Sequence, residues 1–460
     1  MTLAVVPGSF RDPYGTVFRT AEGVIRQVHT SYRPHYDHLM VSGLYARLVS
    51  AGLMVTHEEI SAPASGPDTY KVLKPHQVDF ISYPYEWSFS QLKAAALATL
   101  EIQTRALDLG MSLRDASAYN IQFVDGRPVL IDTLSFEIHV PGEPWVAYRQ
   151  FCEHFLGPLA LVALRDPRLG RMLMTHLDGI PLDLAVSLLP STARLRPSLL
   201  LHLYGHARSQ RRWKARRAPR VASTAFGTLA FHGLVDSLRR AVDKLKWTPR
   251  SSPWARYYDE AESYSQAALA HKRAVVGRFL DRVRPPVVWD LGANTGAFSR
   301  LAAEQGSRTV AFDGDPACVE TMYRSAVASK LTSLLPLVVD LANPSPALGW
   351  AHRERDSLLS RGPADLVMAL ALVHHLAIGN NVPLRLIVEL LAQLGRFVIV
   401  EFVGRDDPQV QRLLESRRYA FPDYDETKLM AALEAWFAML ERVPIADTSR
   451  VLFLLERRAR

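Results

Sequence analysis

The stretch Asp290-Leu291-Gly292-Ala293-Asn294-Thr295-Gly296 constrains the fold of this chain more than any other. The apolar run Val287-Val288-Trp289 enters it as a strand does, and Phe298, Leu301 and Ala302 leave it at helical spacing. The segment predicts a strand, a tight glycine turn and the start of a helix. Small residues let backbone approach a ligand closely, and a carboxylate at the strand end offers hydrogen-bond acceptors in place of a cradle for phosphate. The ligand suited to such a turn is nucleoside-like and not strongly anionic.

A second apolar strand, Thr309-Val310-Ala311-Phe312, ends in Asp313-Gly314-Asp315-Pro316. It lies roughly 20 residues after the first turn, where a carboxylate is expected to take the ribose hydroxyls of a nucleotide, which makes Asp313 the ribose ligand. A third strand, Leu335 to Val339, ends in Asp340, and a fourth, Asp365 to Val373, ends in His374-His375. Strands that end in polar groups place those groups along one sheet edge, where open α/β sheets bind ligands.

These ordered motifs, over about residues 255–455, resemble the class I S-adenosylmethionine-dependent methyltransferases. The resemblance implies a Rossmann-like α/β sheet and S-adenosyl-L-methionine as cofactor. By it, Asp290, Gly292, Asn294 and Gly296 form the turn that holds the methionine portion, Asp313 binds the ribose, and Asp340 binds the adenine amino group with Leu341 along the ring. The middle glycine usual in the family's turn is Asn294 here, and asparagine tolerates a left-handed backbone better than most residues. The competing dinucleotide enzyme wants G-x-G-x-x-G and a helix N-terminus open to pyrophosphate, whereas this turn is acidic and spaced G-x-x-x-G. A glycine turn without a ligand would leave unexplained why Asp290, Asp313 and Asp340 recur at three strand ends.

Methyl transfer is an in-line displacement, so the protein supplies positioning and, for a hydroxyl or amine acceptor, a base. His374 and His375 stand where that base would face the methyl group, and a histidine titrates in the range the role needs. The other reading, in which one of them packs or caps the following helix, stays open. Glu401, read as ending a fifth strand Phe397 to Val400, is the second candidate base. Asn343-Pro344-Ser345-Pro346 follows the third strand and reads as a loop with proline fixing its backbone.

The N-terminal part follows a different logic. Gly15 to Val28 reads as a hairpin about Ala21-Glu22-Gly23, followed by one helix from about Tyr36 to Ala51 that Gly52 ends. Phe80 to Trp87 reads as strand into loop, and Ser88 to Leu109 as a helix with Phe89, Leu92, Ala96 and Leu100 on one face, closed by Gly110. After Leu113-Arg114-Asp115-Ala116-Ser117-Ala118-Tyr119-Asn120 comes a strand pair around Asp125-Gly126, ending at Ile131-Asp132.

Over about residues 12–200 this order resembles the protein-kinase-like phosphotransferases and implies an α+β kinase-like domain. Against the catalytic-loop pattern H-R-D-x-x-x-x-N, Leu113 replaces the histidine while Arg114, Asp115 and Asn120 keep their places, and Asp132 falls at the D-F-G aspartate. In an active site of that kind Asp115 would orient the acceptor hydroxyl, and Asn120 and Asp132 would hold magnesium. The strand that should carry the phosphate-pairing lysine offers Arg26, the next helix shows no evident glutamate partner, and no glycine-rich phosphate loop is read before that strand. These departures point to a degenerate module that selects or presents the acceptor. The alternative is a bifunctional kinase and methyltransferase using magnesium and ATP, and a third class is a catalytically silent binding protein.

At 460 residues the chain has room for more than one core. The expected division is a kinase-like domain over 1–200, a basic connector over 201–252 and the methyltransferase domain over 253–460. The aromatics Trp254, Tyr257, Tyr258 and Tyr264 suit either a lid over the cofactor or ordinary packing. Two cysteines, Cys152 and Cys318, argue against a disulfide framework and suit a reducing cytoplasm. No signal peptide or transmembrane segment is read, and no resident metal is expected outside the kinase alternative.

The net charge is +8, and seven basic residues crowd between Arg208 and Arg220. Such a run suits a solvated linker or weak contact with an anionic surface, and no nucleic-acid module accompanies it. The whole chain is similar to methyltransferases associated with rhizobial nodulation, and fusions of the two activities occur among bacterial enzymes that cap surface polysaccharides. Those resemblances imply a small-molecule or glycan acceptor.

Overall fold

The computed structural model describes residues 4–61, 68–205, 207, 227–249, 265–415, 417 and 421–459. The basic run 208–220 and the aromatics of 254–264 lie outside the described residues. The chain forms two compact units, Met1–Thr248 with Ala347–Arg355, and Pro249–Pro346 with Asp356–Arg460.

The first unit begins with a five-stranded antiparallel sheet in the order β1-β2-β3-β5-β4. Its strands are β1 (Ala4–Val5), β2 (Gly15–Thr20), β3 (Gly23–His29), β4 (His57–Glu59) and β5 (Thr69–Pro75). The β2–β3 hairpin turns where Gly23 takes a φ of 119°, a conformation that costs glycine no steric strain. One helix was expected after it, but the structure has two, α1 (Arg33–Val41) and α2 (Leu44–Ser50). The break is at Gly43, whose φ of 76° ends the right-handed path. Phe80 to Trp87 forms no strand; buried Tyr83, Tyr85 and Trp87 pin it as a loop, with the Trp87 indole donating to Ser82 Oγ at 2.9 Å.

Helix α3 (Phe89–Leu107) starts at a reciprocal cap, in which Ser88 accepts from the Gln91 backbone and Gln91 accepts from the Ser88 backbone. Gly110, at φ 72°, follows its end. Next come β6 (Met111–Leu113), the hairpin β7 (Ile121–Val124) and β8 (Arg127–Leu130), and β9 (Phe136–Ile138), which pairs with β6. Asp125 and Gly126, at φ 48° and 72°, make the tight turn that a two-residue hairpin of this hand requires. The helix Thr228–Lys244, inside the stretch expected as a connector, lies in this unit and reaches α3 through an Arg239–Glu101 ion pair of 3.0 Å.

The second unit is built on a seven-stranded sheet in the order β12-β11-β10-β13-β14-β16-β15. The parallel strands are β10 (Val287–Leu291), β11 (Arg308–Asp313), β12 (Leu334–Val338), β13 (Ala364–Ala369) and β14 (Gly395–Val403). The last two, β15 (Phe437–Pro444) and β16 (Arg450–Arg457), are antiparallel, with β16 wedged between β14 and β15. The central strands are almost continuously apolar because both faces are covered. On one face the helix Gln266–Val283 sends Val276, Phe279 and Leu280 into a core with Val288, Leu366, Ile399 and Leu454.

Two expected strand ends move. β13 stops at Ala369, well before His374, and Ala371 at φ 49° turns the chain off the sheet. β14 runs to Val403, because β16 keeps pairing with Glu401, Phe402 and Val403, so Glu401 lies within the strand and not at its end.

Gly296 heads the helix Ala297–Glu304 at φ 84°, and a Cβ there would lie 2.6 Å from Met322 Cγ. Gly296→Ala is therefore expected to cost about 1–3 kcal/mol, combining backbone strain with overpacking, and to lower the melting temperature of the full chain.

Candidate active site

The turn between β10 and the helix Ala297–Glu304 is left-handed at three residues, Gly292 (φ 72°), Asn294 (φ 52°) and Gly296 (φ 84°). It is tied to the neighbouring strand. The backbone N–H groups of Gly292 and Ala293 both donate to Phe312 O at 2.9 Å, and Asn294 N donates to Asp313 Oδ2 at 2.7 Å. The other oxygen of Asp313 accepts from Asp315 N at 2.8 Å. Burial raises Asp313 to about 6 despite these two donors.

A cavity of about 620 Å³ opens at this sheet edge, and Gly292, Asn294, Asp313, Asp340, Leu341 and His375 are on its wall. Asp340 is oriented by Ala342 N, which donates to its Oδ1 at 2.9 Å. Asp290 stands behind the turn, not on the cavity wall: it is 2% exposed and accepts from Ser299 Oγ at 2.5 Å. Burial raises it to about 6 as well.

The three candidate bases separate. His375 is on the wall of the cavity, and burial followed by the charge of Arg450 lowers it to about 4, so its ring is neutral near pH 7. His374 is fully buried, its ring 4.0 Å from that of His375, and neither of its nitrogens has a hydrogen-bond partner among the described residues. Burial holds it well below the usual histidine range.

Glu401 does not reach the cavity. Its carboxylate is fully buried between Lys272 Nζ at 2.7 Å and Arg450 Nη1 at 3.4 Å, and Arg450 Nε also pairs with Asp407 at 2.8 Å. A carboxylate committed to two buried cations is a poor proton acceptor, because protonating it would strand their charges. Lys272, Asp407 and Arg450 were not singled out from the sequence; the available signal was a lone lysine on the apolar face of the Gln266–Val283 helix. The wall residues Leu370, Ala371 and Leu372 were read as strand and give no sequence sign of a site.

In the first unit Asp115, Asn120 and Asp132 come together on the wall of a second cavity, of about 760 Å³. Asp115 Oδ1 accepts from Gln150 Nε2 at 2.7 Å and from Ser117 N at 3.0 Å, and burial with the nearby Asp132 charge raises its pKa. Asn120 Nδ2 donates to Ser135 Oγ at 3.2 Å, and Ser135 Oγ donates to Asp132 Oδ2 at 2.8 Å. Arg26, from β3, pairs with Asp132 at 2.7 Å and also with Asp12. The acid of α1, Asp37, bonds Tyr70 and Arg33. Gly8 and Ser9, between β1 and β2, also line this cavity, a loop hidden from the sequence because a two-residue β1 carries no pattern.

Strand order and connection define the two folds: a class I methyltransferase sheet in the second unit and a kinase-like α+β fold in the first. The chain is 34% identical over 461 residues to nodulation protein NoeA of Rhizobium meliloti (strain 1021), across 98% of this chain and 96% of that protein, and it belongs to the NoeA family. No protein-family model matches the chain.

Among solved structures, the bifunctional kinase-methyltransferase WbdD is similar at 16% identity and a TM-score of 0.32, over 47% of this chain and 45% of that one. The chain thus spans about half of WbdD. The N-methyltransferase NodS of Bradyrhizobium japonicum WM9 is similar at 13% identity and a TM-score of 0.32, over 42% of this chain and 99% of that one. Magnesium protoporphyrin IX methyltransferase of Synechocystis PCC 6803, solved with bound SAH, is similar at 17% identity and a TM-score of 0.32, over 42% of this chain and 86% of that one. Family membership follows from the NoeA identity, and the fold from the strand order.

Arg450→Met would leave Glu401 and Asp407 buried with one cation fewer. The expected cost is about 3–5 kcal/mol, read as a large drop in the melting temperature of the second unit.

Proposed function

We propose that the second unit is an S-adenosylmethionine-dependent methyltransferase that acts on a hydroxyl or amine of a small-molecule or glycan acceptor. The observation that carries this reading is Asp313, a half-buried carboxylate on the cavity wall with both oxygens already oriented by backbone N–H groups. A carboxylate has lone pairs beyond those two bonds, and these suit a pair of ribose hydroxyls.

The residues present fit a nucleoside sulfonium. The left-handed turn brings backbone rather than side chains to the wall, Asp340 offers acceptors for an amino group, and Leu341 and Leu372 offer apolar surface for a ring. Among the described wall residues there is no lysine or arginine, as befits a ligand without phosphates. The bound sulfonium supplies an activated methyl group. Asp290 acts indirectly, by holding the turn through Ser299.

In this reading His375 is the base. It is neutral near pH 7 and lies on the wall, so it can accept the acceptor's proton as the new bond forms. His374 packs behind it and positions its ring. The cytoplasm is the proposed location, because Cys152 and Cys318 are both free thiols. No described helix is long and apolar enough to cross a membrane.

Calorimetry with S-adenosylhomocysteine tests the socket, and a titration without heat would overturn the proposal. Asp313→Asn should weaken that binding by at least ~10-fold, the usual scale for losing a charge-assisted hydrogen bond. The ionised form of Asp313 accepts the hydroxyls. Affinity should therefore be flat above pH 7 and fall as pH drops through about 6, and Asp313→Asn should remove that fall. With methyl-labelled donor and fractionated lysate, His375→Ala should reduce label transfer by about 10²–10⁴-fold while leaving S-adenosylhomocysteine binding within a few-fold of wild type.

A further inference from the structure

We propose that the cavity of the first unit is a metal-independent binding site for a neutral polyhydroxylated ligand, a sugar or polyol, with the guanidinium of Arg26 held where a kinase-like site would hold its cation.

Most of the cavity's charge is already spent within the wall. Five carboxylates and four arginines line it. Arg26 is divided between Asp132 and Asp12, Arg114 takes the other oxygen of Asp12 at 3.0 Å, and Arg11 is paired with Glu354 and with Asp178 at 3.3 Å. A magnesium ion at Asp132 would have to displace an ion pair of 2.7 Å, and a nucleoside triphosphate would bring several negative charges to a wall with no net positive charge. The pairing that neutralises Asp132 disfavours both.

Among the described residues, three buried polar atoms of side chains that line this cavity have no partner. They are Arg26 Nε, Arg355 Nε and His154 Nδ1, each buried. Buried polar groups rarely go unpaired, so a set of three on one wall marks a ligand's hydrogen-bonding pattern. The two guanidinium nitrogens are donors. His154 is 1% exposed, and its ring is neutral because burial lowers it to about 4. A neutral ring has one N–H and one acceptor nitrogen, so Nδ1 accepts when Nε2 carries the proton.

A ligand that fits must therefore both accept and donate at neighbouring atoms without carrying much charge, which describes hydroxyl groups. Arg355 is not ion-paired among the described residues and lies 4.3 Å from the centre of the Tyr119 ring, so its guanidinium is flattened against a fixed surface. Phe10, 61% exposed, adds an aromatic face on the cavity wall against which a sugar's C–H surface can stack. Asp115, held by Gln150 and Ser117, provides a further acceptor.

The test uses the full chain, with calorimetry and melting temperature as readouts. The probes are glucose, galactose, mannose, N-acetylglucosamine and inositol in EDTA, and separately ATP with magnesium chloride. The proposal expects saturable binding of at least one sugar or polyol in EDTA, weakened at least ~10-fold by His154→Phe and by Arg355→Met, and no heat from ATP with magnesium. Arg355→Met carries the test if His154→Phe does not fold, because Arg355 is only half-buried. The proposal is overturned if none of these probes binds, if binding is unchanged in the folded variants, or if ATP with magnesium binds and Asp132→Asn abolishes it. S-adenosylhomocysteine binding is titrated separately on the wild-type chain, so failure of the second unit's reading and failure of this one give different results.

Discussion

The carboxylate of Asp313 ties together the turns that follow two neighbouring strands. One oxygen receives the backbone N–H of Asn294 from the turn after β10, and the other receives that of Asp315 from its own turn. Gly292, Ala293 and Gly296 find backbone carbonyls for their N–H groups, and the Asp313 carboxylate satisfies that of Asn294. With that bond in place the cavity has a fixed floor, and Gly292, Asn294 and Asp340 stand at set positions around it. The energetic burden is visible in Asp313 itself, since burial raises its pKa even with two donors attached.

A second constraint lies beneath the floor. Lys272, Glu401, Arg450 and Asp407 form a buried network with two charges of each sign, linking the helix Gln266–Val283, β14, β16 and the turn after β14. Buried ion pairs seldom add net stability over apolar packing, but they tolerate few alternative arrangements. Here the network links β14 to the inserted β16, and burial, with the charge of Arg450 added, keeps His374 and His375 neutral, His375 and Lys272 contributing further at His374. The Lys272 ammonium also lies 4.7 Å from the centre of the Phe298 ring, coupling the network to the helix that follows the glycine turn. One set of charges thus bears on both the sheet order and the histidines at its edge.

In the first unit one arginine sets the state of two carboxylates. Asp115, Asn120 and Asp132 line one cavity, and arginine stands at position 26 beside them. A lysine ammonium is compact and strongly hydrated, whereas the planar guanidinium spans two carboxylates at once. Arg26 does this between Asp132 and Asp12, and the carboxylate that would face a metal is neutralised by the protein.

The sequence alone was sufficient for the glycine turn, the acids at or near the ends of β10, β11 and β12, the β2–β3 hairpin and the Asp125-Gly126 turn, because each is local: apolar runs mark the strands, and glycine or asparagine marks where φ must turn positive. The resemblance to the kinase-like pattern pointed to Asp115, Asn120 and Asp132. It did not show that Glu401 faces Lys272 and Arg450, that His374 packs behind His375, or that Asp290 lies off the cavity wall. Which way a side chain faces within a strand or turn is set by partners distant in sequence. Glu401 and Lys272 lie 129 positions apart, and Arg26 of β3 meets Asp132, which follows β8, only in the folded unit. Such pairings belong to packing, which chain-local patterns do not encode.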